Sequence, residues 1–255
     1  MISYKSRREI ELMWQAGQVL ARLFDKIEPT VKAGVTTEKL DQNIHQWMLE
    51  EDTVPAFLGY REFPAVACIS INEEVVHGIP SPSRVLKDGD LVTFDIGVIW
   101  KGYYSDAART YGVGELDPAA SKLLETTRES LERGIAALRT GGRLSEIGAA
   151  VQENAEGAGF SVVRDFVGHG IGRELHEDPQ VPNYVSAGVR RRDMTLKKGL
   201  VLAIEPMLNA GSERVRTMED GWTVVTQDQK LSAHFEDSIA LTADGPVILT
   251  RHPSD

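Results

Sequence analysis

The segment LKDGDLVTFD, residues 86–95, resembles a second segment of the chain, LKKGLVLAIE, residues 196–205. Each copy has a charged turn with a glycine and then a strand-like run, and each ends on a carboxylate, Asp95 in the first and Glu205 in the second. The string HGI also occurs twice, at residues 77–79 and 169–171. A repeated strand with a repeated acidic end indicates a duplicated half-site, so we expect two pseudo-equivalent halves that face each other.

The helical pattern repeats in the same way. Apolar residues at three- and four-residue spacing, glycine breaks and capping residues predict a long helix, a glycine loop and a second helix in each half. Aligning Gly34 with Gly142 superposes the two halves. The predicted helices cover about residues 6–27, 37–51, 117–141 and 145–157.

Short apolar runs predict strands between these helices, so we expect an α+β fold with an antiparallel sheet backed by helices. One catalytic domain over residues 1–255 is expected, with pseudo-repeat halves at about 5–112 and 117–250. Two separate domains would need a linker, and the stretch near 112–118 is too short for one. The predicted strands are residues 65–71, 91–99, 102–110, 162–167, 200–208, 222–226, 233–241 and 247–250.

The composition is that of an ordinary globular protein, with 42% hydrophobic and 26% charged residues. A net charge of −10 argues against a general polyanion binder, so we expect no DNA binding. The single cysteine, Cys68, excludes an intrachain disulfide and fits a reducing, cytoplasmic location. We see no signal peptide and no apolar run long enough to span a membrane.

Two aspartates frame a predicted hairpin. If the chain turns at residues 100–101, Asp95 lies directly opposite Asp106, and like charges in that arrangement are destabilising. A shared proton or a bridging cation would relieve the repulsion. Three further metal-binding side chains elsewhere in the chain favour the cation, namely His169, Glu205 and Glu236.

Four carboxylates and one histidine suit Mn²⁺, Fe²⁺, Co²⁺ or Zn²⁺ better than a thiolate-rich structural zinc site. Two such ions, about 3.5–4 Å apart, could share a water and bring its pKa near ~7. The sequence therefore predicts metal-assisted hydrolysis with two divalent ions per chain. The predicted ligands are Asp95, Asp106, His169, Glu205 and Glu236.

Three of the six histidines lie in segments that contain glycines, which let the backbone approach a ligand closely. These are His77, His169 and His176. Their spacing is not that of an HExxH helix, so a helical zincin site is excluded. The other three are interpreted as solvated or structurally satisfied, namely His45, His234 and His252.

Five motifs follow one another along the chain, namely FPAVACISINEEVVHGIP, DIGVIWKGYYSDAART, GHGIGRELHEDPQVPNY, IEPM and AHFEDSIALT. The chain resembles the type I methionine aminopeptidases of the short, bacterial form over nearly its whole length. The resemblance implies the pseudo-symmetric pita-bread fold and removal of the initiator methionine from nascent polypeptides, with a small second residue preferred.

The resemblance also implies roles for individual residues. Among the five predicted ligands, Asp106 and Glu236 would bridge the metals, and Glu205 would also move the proton. His176 would steady the tetrahedral intermediate, and His77 would contact the substrate near the scissile amide nitrogen. The substrate's free α-amino group would bind beside the second metal and Asp95. The methionine pocket would be formed by Tyr60, Phe63, Cys68, His77 and Trp222.

The chain departs from the family pattern at a few positions that flank these residues. Arg61-Glu62 stands where glycine usually precedes the Phe-Pro pair, and Leu175 replaces a frequent phenylalanine. The common SAQFEH run is changed to His234 and Asp237 at its third and last positions. We expect these departures to change the pocket's shape, and His234 to add pH sensitivity near neutrality.

Partners follow from the resemblance. The nascent peptide N-terminus is the expected partner, ribosome association is expected through some of three basic clusters, and a monomer is expected. Two alternatives stay open: a proline-directed relative such as aminopeptidase P or prolidase, and a non-catalytic binding protein associated with the ribosome or RNA. The basic clusters are Lys5/Arg7/Arg8, Arg190–Arg192 and Lys197-Lys198.

Overall fold

A computed structural model describes residues 2–253 of the chain. Within these residues, five α-helices and fifteen β-strands follow one another in an order that places α1 and α2 before the first large sheet and α3 and α4 before the second. The helices are α1 Arg7–Ile27, α2 Thr37–Glu50, α3 Pro118–Ala137, α4 Leu144–Gly157 and α5 Ala187–Arg191. The strands are β1 Val54–Pro55, β2 Ala67–Ile71, β3 Glu74–Val76, β4 Leu91–Trp100, β5 Tyr103–Gly112, β6 Ser161–Val162, β7 Gly168–Gly170, β8 Glu177–Val181, β9 Val201–Ile204, β10 Met207–Asn209, β11 Val215–Thr217, β12 Val224–Thr226, β13 Ser232–His234, β14 Asp237–Thr242 and β15 Gly245–Ile248.

Every strand pair in the described residues is antiparallel, and the helices cover the sheets, which confirms the predicted α+β class. Strands β1, β4, β2 and β5 form the sheet of the first half. The order β15-β14-β9-β7-β8 forms the sheet of the second half. One core lies between α1, α2 and the first sheet, and another lies beneath α3 and α4 on the second.

Matching backbone hydrogen bonds support the duplication. Gly34 N–H donates to the Leu86 carbonyl at 2.8 Å, and Gly141 N–H donates to the Leu196 carbonyl at 2.9 Å. Gly34 and Gly141 both have positive φ, at 88° and 83°, which glycine adopts without strain. The equivalent of Gly34 is therefore Gly141, and the alignment of Gly34 with Gly142 was wrong by one residue.

The hairpin turns one residue later than predicted. Lys101 and Gly102 occupy the turn with φ values of 49° and 80°, the two left-handed conformations of a tight type I′ turn. Asp95 consequently pairs with Ala108, and Asp106 pairs with Gly97. The prediction that Asp95 lies directly opposite Asp106 was wrong, because the pairing register is shifted by two residues. Side chains two apart lie on the same face of a strand, so the two aspartates are diagonal neighbours.

Two predicted strands are each broken into two short ones. The break in residues 200–208 separates β9 from β10 at Glu205-Pro206, because proline has no N–H for the ladder. The break in residues 233–241 separates β13 from β14 at Phe235-Glu236. Both breaks place a predicted ligand outside regular pairing, at the end of a rigid strand.

Candidate metal centre and substrate pocket

The two sheets meet along the edge that carries the predicted ligands. Ala108 and Glu236 form an isolated antiparallel bridge between the halves, with N–H to carbonyl distances of 3.2 and 2.9 Å. The Ser238 hydroxyl donates to the Asp106 carbonyl at 2.8 Å and accepts from the Asp106 N–H at 3.2 Å. These bonds bring β5, with Asp106, against the chain that carries Glu236.

The second sheet supplies the remaining side chains. His169 on β7 pairs with Ala203 on β9, two residues before Glu205. The His169 Nε2 atom lies 3.5 Å from Glu205 Oε1 and 4.0 Å from Asp106 Oδ2. Single donor atoms of Asp106, His169 and Glu236 all lie within 4.8 Å of one another, and all three residues are buried.

A hydrogen bond to the backbone orients the ring of His169. His169 Nδ1 lies 2.9 Å from the Gly170 carbonyl oxygen, which can only accept a hydrogen bond. The proton is therefore assigned to Nδ1, and the lone pair of Nε2 faces the carboxylates. Burial, followed by His176, lowers the pKa of His169 to about 3, so the ring is neutral at pH 7 and able to bind a cation.

The carboxylates have too few partners. Asp95 Oδ1, Asp106 Oδ1 and Glu236 Oε1 are buried and accept no hydrogen bond. Within residues 2–253, no lysine or arginine forms an ion pair with Asp95, Asp106, Glu205 or Glu236. Buried polar atoms normally have partners, so these orphaned oxygens fit a bound divalent cation.

The raised pKa values of the four carboxyl groups reflect their burial and their closeness to one another. Burial raises the pKa of Asp95 to about 7, although a hydrogen bond from Asp106 opposes the rise. The pKa of Asp106 is raised well above its usual range by burial first and then by Asp95 and Glu205. Burial and the neighbouring carboxylates act in the same direction on Glu205 and Glu236. Without cations, the cluster therefore holds protons that a metal would displace.

The acidic cluster lies at one end of a cavity of about 380 Å³. All eleven residues named from the sequence line it, from the aromatic end to the acidic end. They are Tyr60, Phe63, Cys68, His77, Asp95, Asp106, His169, His176, Glu205, Trp222 and Glu236. The structure thus brings together the predicted residues, while the role of each remains a prediction.

Aromatic contacts shape the other end of the cavity. Phe63 meets Trp222 edge-on with ring centroids 5.1 Å apart. His77 lies 5.9 Å from Trp222 and 5.5 Å from Phe166, again edge-on. Cys68 is buried on β2 opposite Asp95, and burial, followed by that carboxylate, raises the pKa of its thiol, so it is an apolar wall residue.

Two further histidines, His77 and His176, also line the cavity. His176 Nδ1 lies 2.9 Å from the Tyr60 hydroxyl, and its ring centroid lies 4.3 Å from that of His169. His77 has a φ of 61°, a left-handed conformation that is strained for a residue with a side chain. Burial, followed by His176, lowers the pKa of His77 to about 4.

Several lining residues were missed by the sequence reasoning. Phe57 packs over Gly97, where a Cβ would lie 2.6 Å from the phenyl ring, so the glycine of the DIG string admits the ring. The ring of Phe166, which precedes His169 by three residues, packs edge-on against the ring of His77. Val76, Asp165, Val167 and Gln180 also line the cavity. The one local signal was Gly97, two residues after Asp95, which leaves room for the Phe57 ring.

One expectation about the departures was wrong. His234 is buried, with both ring nitrogens lacking hydrogen bonds. Burial, followed by His77 and Arg109, lowers its pKa to about 3. The ring is therefore neutral throughout the physiological range, and it cannot supply the expected pH sensitivity near neutrality.

The model of metallopeptidase family M24 matches residues 11–243 of the chain. The chain belongs to metallopeptidase family M24. Divalent metals are the cofactors of such an enzyme, and the cluster described above is able to hold them. The pita-bread fold predicted from the sequence is also confirmed, because the structural comparison below extends over nearly the whole chain.

Close relatives of this M24 chain are methionine aminopeptidases. The methionine aminopeptidase of Clostridium perfringens is 49% identical over 250 residues, which cover 98% of this chain and 99% of the relative. The crystal structure of methionine aminopeptidase from Thermotoga maritima has a TM-score of 0.95 at 44% identity and covers 99% of this chain and 100% of that one. The predicted resemblance to the bacterial type I form is confirmed.

Prolidases share the fold at a greater distance. The prolidase from Pyrococcus furiosus has a TM-score of 0.77 at 23% identity, and the match covers 98% of this chain but 65% of that one. At this identity, the likeness shows the fold alone. The proline-directed alternative is therefore not favoured.

Proposed function

We propose that this M24 chain removes the N-terminal methionine from newly made polypeptides. Methionine aminopeptidases are its full-length relatives at 45–49% identity. The observation that carries the proposal is a cavity that is apolar and aromatic at one end and has four clustered carboxyl groups at the other. Such a cavity accepts an unbranched apolar side chain while its acidic end receives a positively charged α-amino group.

The apolar end fits methionine. Phe63, Trp222 and Cys68 offer aromatic and thiol surface without a charged group, and thioether sulfur contacts aromatic rings favourably. The carboxylate of Asp95 lies on the strand beside Cys68 and is placed to receive the free amine. Binding the amine there accounts for cleavage from the N-terminus, because an internal peptide bond brings no charge to this position.

Two divalent cations are proposed, held by Asp95, Asp106, His169, Glu205 and Glu236. Asp106 and Glu236 would hold the cations from opposite halves of the molecule, and each has a buried oxygen without a hydrogen-bond partner. When bound, the cations would supply Lewis acidity and a lowered pKa for water. Mn²⁺, Fe²⁺, Co²⁺ and Zn²⁺ suit this donor set.

The protein's own groups move the proton and orient the substrate. Glu205, beside His169, would accept a proton and pass it to the departing amine. His176, held by Tyr60, is placed to donate a hydrogen bond to the developing oxyanion. His77 packs against Phe166 and Trp222 and would contact the scissile amide nitrogen.

Substitution of a bridging carboxylate tests the proposal. Asp106→Asn keeps the side-chain shape but removes one acidic oxygen, so we expect loss of Met-Ala-Ser cleavage by about a hundredfold or more, since orienting and polarising groups act as a unit. Metal content, measured by elemental analysis, should fall at the same time. Asp25→Asn on the exposed face of α1 is the matched control and should retain turnover.

If Asp106→Asn cleaves the peptide as fast as the wild-type protein, the assignment of this site is wrong. A panel of Met-Ala and X-Pro peptides, assayed after metal removal and restored one metal at a time, separates the proposed activity from a proline-directed one. A metal-free, inactive chain that binds RNA would instead favour the non-catalytic alternative.

The nascent peptide N-terminus is the partner that follows from this activity. Ribosome association remains a prediction, and Lys5 cannot contribute to it because that side chain is 4% exposed and paired with Glu177. The exposed basic residues that remain are Arg7, Arg8, Arg190–Arg192 and Lys197-Lys198. Salt-dependent cosedimentation with ribosomes tests them. The described residues include no helix that is long and apolar enough to cross a membrane, while the cytoplasmic and monomeric predictions stand untested.

A further inference from the structure

A buried ion pair lies behind the loop that carries His176. Lys5, before the first helix, has a side chain that is 4% exposed, and its ammonium group pairs with Glu177 Oε2. Glu177 is the residue after His176 and is 13% exposed at its side chain. A lysine is rarely buried without a specific partner, so this pair fixes the position of both chains.

The same carboxylate organises the loop backbone. The Arg173 N–H donates to Glu177 Oε1 at 2.8 Å, and the Glu174 N–H donates to it at 3.4 Å. Gly172 makes room for this arrangement, because a Cβ there would overlap Lys5 Cε and Glu177 Oε1. The Glu177 carboxylate therefore stabilises the turn of residues 172–177, and the Lys5 ammonium group neutralises that carboxylate.

The N-terminal segment is itself anchored. The Lys5 N–H donates to the Gly199 carbonyl at 2.7 Å, next to β9. A second connection joins α1 to the loop, since the Tyr103 hydroxyl donates to Glu9 at 2.9 Å and accepts from Arg173 at 2.6 Å. The ammonium group of Lys5 is thus presented from a fixed backbone.

We infer that Lys5 is a positioning residue for peptide hydrolysis and acts through Glu177 on His176. The Tyr60 hydroxyl, which lines the cavity, restrains the ring of His176, while the Lys5–Glu177 ion pair holds the next residue of the chain. This inference rests on the proposed function, in which His176 steadies the oxyanion. It adds a residue about 170 positions away in the sequence that contacts neither substrate nor metal.

Lys5→Met removes the charge and keeps a long unbranched side chain. We expect kcat for Met-Ala-Ser to fall about 10- to 100-fold, because displacements of about 1 Å in a catalytic group cost up to about a hundredfold. KM should change little, since the aromatic end of the cavity does not contact the ion pair. Lys26→Met, which breaks an exposed lysine–glutamate pair between α1 and α2, is the matched control and should leave kcat unchanged.

A double-mutant cycle with His176→Ala distinguishes positioning from general weakening of the fold. If Lys5 acts through His176, Lys5→Met causes no further fall in kcat in the His176→Ala background. An equal fall in both backgrounds would overturn the inference, as would an unchanged kcat in the single variant. Lys5→Arg retains the positive charge and should recover part of the lost kcat.

Glu177→Gln keeps the experiment decisive if Lys5→Met does not fold. Glutamine retains an oxygen for the Arg173 and Glu174 N–H groups but loses the pairing charge, so kcat should fall and the cycle with His176→Ala should give the same result. Retention of kcat by Glu177→Gln would contradict the inference. If wild-type protein loaded with Mn²⁺ or Co²⁺ fails to cleave methionyl peptides, the proposed function fails instead.

Discussion

Arg61 is the sole lysine or arginine among the described residues that line the cavity. It is exposed at the mouth, with its guanidinium carbon 5.5 Å from the centroid of the Tyr60 ring. Arg61 and Glu62 both have left-handed backbones, with φ of 47° and 72°, where the family usually has glycine in the second position. The chain accepts this backbone strain and gains a positive charge beside an otherwise acidic cavity.

Arg61 should therefore influence which residues are accepted downstream of the methionine. We expect Arg61→Glu to lower kcat/KM for Met-Ala-Asp peptides relative to Met-Ala-Lys peptides by up to about fivefold, the effect of an exposed ion pair worth up to about 1 kcal/mol. Competition assays at low and high salt measure the ratio, which should approach one as salt screens the charge. Arg61→Gln should give an intermediate ratio, and identical ratios in all three proteins would contradict the prediction.

The sequence specified the residues of the site better than their contacts. Strand alternation placed Asp95 and Asp106 on one face, and the glycine-rich segments located His77, His169 and His176. The exact register depended on the left-handed backbone of Lys101, which alternation does not encode. Phe57 and Phe166 were missed because a single aromatic residue in a loop has no periodic signal.

At the level of elements, helix starts and strand cores were predictable and irregular strands were not. Ser6 and Thr36 cap α1 and α2 as their sequences indicate. Strand β8 was missed because Glu177–Val181 contains charged residues and Pro179, which argue against a strand. It pairs with β7 across a register shift at His169-Gly170, so a poor strand sequence carries the loop with His176.

Helix α4 is capped from a distant part of the chain. Its N-cap residue, Arg143, makes no side-chain capping bond. Asp193 takes that role, accepting from the Ser145 N–H at 3.0 Å and the Ser145 hydroxyl at 2.8 Å, with Arg143 beside it at 3.0 Å. Although burial raises the pKa of Asp193, these hydrogen bonds and Arg143 outweigh it, and the pKa lies below the ordinary 3.8.

Asp193→Ala should lower the free energy of unfolding by about 1 kcal/mol, the usual cost of losing a cap. A lowered pKa means that the folded state binds fewer protons, so the stabilisation is complete above pH 3.8 and is lost as the pH falls through the folded pKa. Urea unfolding between pH 3 and 7 measures the difference, which should shrink at the acid end. Asp193→Asn keeps the acceptor, so a loss as large as that of alanine would contradict a capping role.

At the scale of the whole molecule, a network of buried charges centred on Asp237 connects the two halves next to the candidate metal centre. Asp237 follows Glu236, has a fully buried side chain, and accepts from Arg109 at 2.5 Å and Arg251 at 2.8 Å. Arg109 also donates to the Glu236 carbonyl, and Arg251 reaches Glu132 on α3 at 2.6 Å. One carboxylate thus connects β5, α3 and the C-terminal segment. Burial raises the pKa of Asp237, but the two arginines outweigh it and keep the pKa low.

Asp237→Asn should lower the free energy of unfolding by about 3–5 kcal/mol, because it leaves the largely buried Arg109 without its counter-ion and leaves Arg251 with Glu132 alone. Asp237→His, the residue common in the family at this position, should destabilise this chain for the same reason. Urea denaturation of metal-free protein measures the loss, and titration with Mn²⁺ should show weaker binding, since the Glu236 backbone loses the anchored Arg109. Glu50→Gln, which breaks an exposed pair with Lys26, should cost less than about 1 kcal/mol. A comparably small loss for Asp237→Asn would mean that the halves are held together by the Ala108–Glu236 bridge and the apolar cores, and that the network is dispensable.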